Sequence, residues 1–168
     1  MALKTTSEIV AVGFDILESA ANTFTQSRVD LQLSPLDQEV FVVLAVDLDP
    51  SPPANVLATN TATEMSISTT SLTAMGNINQ SQVIANTKMN IEYDAASPNG
   101  VGFTRTSLDV PVSTLPYVAI ISTNDFFVQI EGRNNPSPRL GFGRMWGYRA
   151  KADAATYAAL VQSEVLSS

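Results

Sequence analysis

The chain carries two hydrophobic periods. From Thr5 to Phe24, apolar residues recur every three or four positions: Ile9, Val12, Ile16, Ala20 and Phe24, with Val10, Gly13, Leu17 and Ala21 widening the stripe. That is the period of a helix with one apolar face. Glu8, Asp15, Glu18 and Asn22 make the opposite face. Thr5 and Glu8 fit a capping box, in which each side chain satisfies a free backbone N–H at a helix start. The pattern predicts a helical arm over residues 5–24, with a stripe to be buried against its own domain or a neighbouring copy.

From Arg28 onward the period is two. Residues 28–33 alternate, with Val29, Leu31 and Leu33 on one face. Residues 40–46 are an unbroken apolar run, as in a strand covered on both sides. Residues 50–63 form a Pro-, Asn- and Thr-rich loop, whose prolines cannot donate to a sheet ladder. Strands are expected at 64–68 and 83–94, with a turn region at 75–81 between them. Pro98-Asn99-Gly100 is a hairpin signal, because Asn-Gly accepts the positive φ angles of a type I′ turn. It would pair residues 88–94 with 101–106. Residues 107–112 alternate around Pro111, which places them at an edge or a bulge. Two further strands, 117–122 and 126–132, flank Thr123-Asn124-Asp125.

The last strand, 140–151, has two unlike parities. Leu140, Phe142, Trp146 and Tyr148 share one and are expected to face the core. Gly141, Gly143, Met145, Gly147, Arg149 and Lys151 share the other. Its glycines make a low face that admits a neighbouring backbone or a large side chain, from the terminal helix or another subunit. Arg144 breaks the apolar parity, which predicts a paired or rim position. A dinucleotide-binding loop would need glycine where Trp146 stands, and a helix after it, so the glycines do not mark a phosphate loop. Asp153 then caps a helix over 153–166, with Tyr157, Leu160, Val161 and Val165 inward.

About eight strands with no helix between them predict an all-β chain. The expected architecture is an antiparallel β-sandwich, jelly-roll-like, forming a single domain over residues 1–168. The sandwich would span 28–151, with an N-terminal and a C-terminal helix.

Composition works mainly by exclusion. Charged residues make up only 15% of the chain, and Ser, Thr and Asn take their place. That is the surface style of β-rich proteins and of surfaces buried in assemblies. The net charge is −7, with nine Lys and Arg in all, which disfavours direct nucleic-acid binding by counterion release. The two halves differ: residues 1–94 hold three Lys/Arg against eleven Asp/Glu, and residues 95–168 six against five. There is no cysteine and no histidine, so the thiolate, the commonest general base and the commonest transition-metal ligand are all missing. Catalysis is not expected, nor a cofactor, nor a bound metal. Asp47 and Asp49 form a D-x-D pair that could hold a hard cation, but Pro52 and Ala58 stand where a calcium loop needs Gly and Glu. No apolar run approaches the ~20 residues of a membrane helix.

The strand series from 28–33 through 140–151, with arms at 5–24 and 153–166, resembles the small single jelly-roll coat proteins of icosahedral viruses. The resemblance implies a shell-forming homo-oligomer, with copies of itself and other virion proteins as partners. It also implies a virion location, with assembly in the host cytoplasm. The single lysine near the N-terminus departs from the basic tails of many such coats, so packaging by direct genome contact is not implied. Candidate subunit-contact residues are Ile9, Val12, Ile16, Phe24, Gly141, Gly143, Gly147 and Arg149. The alternative reading is a carbohydrate- or ligand-binding β-sandwich, in which Trp146 or Tyr148 stacks on the ligand.

Overall fold

The computed structural model describes residues 3–94, 96, 99–106 and 115–166. Ten strands and one α-helix account for its regular structure: β1 (Leu3–Thr5), β2 (Val10–Leu17), β3 (Thr25–Asp30), β4 (Glu39–Pro50), β5 (Thr61–Ser68), β6 (Val83–Tyr93), β7 (Gly100–Thr106), β8 (Ala119–Ile121), β9 (Asp125–Arg133), β10 (Leu140–Ala152) and α1 (Ala154–Leu166). One 3-10 turn, Pro35–Asp37, leads into β4. The expected strand over 107–112 lies outside the described residues, as does Pro98 of the expected hairpin turn.

Two antiparallel sheets face each other. The first runs β1-β10-β4-β8, with β2 sharing with β1 one edge of β10. The second runs β3-β9-β5-β6-β7. The predicted pairing of 88–94 with 101–106 is present as the β6–β7 ladder, from Thr87 opposite Thr106 to Tyr93 opposite Gly100. Between the sheets lies the main core, with Phe41, Met65, Ile67, Ile121, Phe126, Ile130 and Met145 among its fully buried side chains. The unbroken apolar run in β4 is covered on both sides, as expected. Phe41, Val43 and Val46 face the second sheet, while Val40 and Val42 face outward under α1.

The N-terminal helix is not formed; residues 5–24 are two strands and a turn. Val10, Val12, Phe14 and Ile16 also alternate at period two, and their β-branched and aromatic side chains suit a pleated surface. In a helix, Gly13 would cost about 1 kcal/mol against alanine. A helix that short gains little without packing, whereas β2 pairs with β10 along its full length, Leu17 opposite Leu140 to Val10 opposite Gly147. Thr5 is taken up in β1 opposite Ala150, so the capping box does not form. The sandwich therefore begins at β1 rather than at residue 28.

The C-terminal helix is present, and Asp153 caps it: the Thr156 N–H donates to Asp153 Oδ1 at 2.7 Å. Its inward face differs in part from expectation. Tyr157 and Leu160 pack over Val40, Val42, Ala150 and Ala152 on the outer side of the first sheet, but Val165 is exposed. The buried residue of the last turn is Glu164, whose carboxylate accepts from the Ser122 N–H at 2.7 Å and the Thr123 N–H at 3.0 Å.

Candidate interaction surface

The helix covers only one end of the first sheet's outer face. At the other end, cross-strand register builds three rows over β2, β10 and β4: Asp15–Phe142–Asp49, Gly13–Arg144–Asp47 and Ala11–Trp146–Ala45. A fourth row sets Leu17 beside Leu140. Phe142 is 51% exposed and Leu17 58%, and the Arg144 guanidinium lies 5.8 Å from the Trp146 ring centre. Asp47, Asp49, Phe142, Gly143, Arg144 and Trp146 enclose a shallow hollow of about 280 Å³. Among the described residues no three acidic side chains gather as a ligand set for a metal ion.

The parity of β10 is the reverse of the one expected. The aromatic row faces outward, and the glycine row faces the core. A Cβ at Gly141 would lie 2.8 Å from Met65 Sδ, and one at Gly147 would collide with the Val42 carbonyl oxygen. A Cβ at Gly143 would collide with the Phe14 ring, which packs edge-on against Phe126 with ring centres 5.4 Å apart. Large side chains of this chain fill the low face, so it is the opposite, aromatic row that lies on the outer surface. A bulge between Trp146 and Gly147 then shifts the register against β4, and Tyr148 falls under α1 with Val42.

The other candidate contact residues divide. Ile16 is buried in the core, and Val12 is half-buried against it. Arg149 is held inside the chain: it donates to the Leu31 carbonyl at 2.8 Å and the Gln32 carbonyl at 3.1 Å, and its Nη1 lies 3.3 Å from Glu39 Oε2. Phe24 is half-buried in the connection between β2 and β3. Ile9 alone is freely exposed, at 63%.

No protein-family model matches the chain, and no curated protein matches it. A solved structure titled Desmodium yellow mottle tymovirus shares 10% identity, covering 88% of this chain and 91% of that chain, with a TM-score of 0.29. A score of that size carries no argument about either fold or role.

The feature that sequence reasoning missed is the outer edge of β2. Among the described residues no strand pairs with that edge, so alternate residues of this eight-residue strand present free backbone donors and acceptors. Exposed Ile9, Val10 and Leu17 flank it, and it contains neither lysine nor proline. Natural proteins commonly protect an open edge with such residues or with a covering element. A period-two reading of residues 10–17 would have found the strand; its terminal position in the sheet is not legible locally.

Proposed function

We propose that the chain is a non-catalytic structural subunit that assembles with copies of itself, as a coat protein of a virion shell does. The observation carrying this reading is that, among the described residues, no strand pairs with the outer edge of β2 and nothing covers the outer face of the first sheet beside it. An open strand edge without lysine, proline or a covering strand is a template for pairing with another chain, and closed symmetric assembly is the usual outcome for self-complementary surfaces. The strand order supports a jelly-roll reading of the sandwich. Consecutive strands β2 to β5 alternate one by one between the two sheets, and β8, β9 and β10 alternate back between them, as two interleaved Greek keys require. The corresponding partners are further copies and other virion proteins, and the corresponding location is a virion assembled in host cytoplasm. Among the described residues no helix is long and apolar enough to cross a membrane.

Size-exclusion chromatography with light scattering tests this directly. The expected mass is a multiple of 17.9 kDa that falls toward one copy in Val10→Lys, where a charge stands at the edge. A single 17.9 kDa species at the highest attainable concentration would contradict the reading.

A second reading has its own observation. Phe142 and Trp146, bordered by Asp47, Asp49 and Arg144, set aromatic faces beside polar groups, which suits stacking on a sugar ring. Tyr148, the other expected stacking residue, lies under α1. Quenching or blue shift of the single tryptophan by a glycan panel is the expected outcome of this alternative; an unresponsive Trp146 counts against it.

A further inference from the structure

We propose that the outer face of the second sheet holds a binding site for a compact, multiply charged phosphate compound. A groove of about 800 Å³ opens there beside the 69–82 loop, within the size range of small-molecule sites. Lys88 of β6, Arg105 of β7 and Arg133 at the end of β9 line it, together with Glu64 of β5 and the amides of Asn77 and Asn79. Three of the nine cations of a chain with net charge −7 thus meet around one opening.

Their arrangement leaves one cation over. Register across the sheet reads Glu131, Glu64, Lys88, Arg105 from β9 to β7. Lys88 Nζ lies 2.5 Å and Arg133 Nη2 3.5 Å from the same oxygen of Glu64. Arg105 makes no ion pair among the described residues and stands directly opposite Lys88. Like charges facing each other across a ladder weaken it, and an anion seated between Lys88 and Arg105 removes that repulsion. The planar fork of Arg105 matches two phosphate oxygens, and Lys88 adds a point charge. Asparagine amides can donate to the remaining oxygens. Glu131 and Glu92 share this face and border the basic patch. A long polyanion would run into them; a compact ligand does not.

Calorimetric titration with sodium tripolyphosphate at physiological ionic strength tests the site in the wild-type chain, Arg105→Gln and Arg105→Glu. Arg105 is exposed, and its glutamate replacement faces Lys88 as an opposite charge, so the variants should fold; their unfolding midpoints without ligand check this. The expected result is saturable binding, weakened about tenfold or more in Arg105→Gln by loss of a charge-assisted pair and absent in Arg105→Glu. No saturable binding by the wild type overturns the proposal, as does equal binding by all three folded proteins. A nucleoside triphosphate arm separates the free oligophosphate from its ester: affinity equal to or above that of tripolyphosphate supports recognition through the phosphates. Binding of a short oligonucleotide without binding of tripolyphosphate overturns it, since that is diffuse attraction to a phosphate backbone.

Discussion

Glu18 ties three parts of the molecule together. It is 2% exposed, and its carboxylate accepts from the backbone N–H groups of Thr23, Gly132 and Arg139 at 3.1, 2.6 and 2.6 Å. It thereby joins the end of β2 to the end of β9 and the entry to β10. A carboxylate there satisfies three backbone amides at once, and removing it takes away that acceptor from buried donors. Glu18→Ala is expected to cost about 3 kcal/mol or more, read from the urea midpoint. An unchanged midpoint would contradict this account of the junction. The glycines make a paired prediction at the same scale. A Cβ at Gly147 would press on the Val42 carbonyl and the Phe41 ring, whereas one at Gly13 would meet nothing within 4 Å. Gly147→Ala should destabilise by about 1–3 kcal/mol through overpacking, while Gly13→Ala should be neutral or stabilising by up to about 1 kcal/mol. Equal effects would show that β10 does not turn its glycines inward.

Among the elements, α1 carries a titratable cap. The Thr156 N–H, the strongest influence, holds the Asp153 carboxyl below the usual aspartate value of 3.8. A depressed folded value means the ionised cap contributes above the unfolded value and is lost as pH falls through the folded one. Asp153→Ala should therefore lower the melting temperature at neutral pH, with the gap to wild type closing in acid below the folded value; a gap independent of pH would contradict the ionised cap. This helix was legible because its cap, its length and the absence of glycine and proline agree. The N-terminal segment was not, because Ile9, Val12 and Ile16 satisfy a helical period while Val12, Phe14 and Ile16 satisfy a strand period. The strand prevails through a long-range partner, β10, that the local pattern does not contain. Likewise the parity of β10 turned on which row was bulky, and the bulk over its glycines comes from Phe14, Phe41 and Met65, distant in sequence. The two-sided burial of β4 was readable from its unbroken apolar run, and the β6–β7 pairing forms as expected, but not around a type I′ turn at Asn-Gly: Gly100 lies in β7 opposite Tyr93, and neither Asn99 nor Gly100 takes a positive φ. Of the candidate contact residues, Ile9 is the most exposed, while those taken from the expected helix face or from the glycines of β10 were placed by local patterns that the sheet rearranges, and Arg149 is engaged by Leu31, Gln32 and Glu39.

On the scale of the whole molecule, one surface is finished and one is not. Helix α1 seals half of the first sheet's outer face, with Glu164 anchoring it to the β8–β9 turn. Among the described residues nothing covers the rest of that face, beside the unpaired edge of β2. Self-association through that edge is the central claim, and concentration-dependent amide hydrogen exchange locates it. If copies pair there, the β2 amides that point away from β10 exchange freely in dilute solution and become protected as concentration rises, while those bonded to β10 stay protected throughout. If the outward β2 amides exchange at the same fast rate at every concentration, the edge is not where copies meet and the account is wrong.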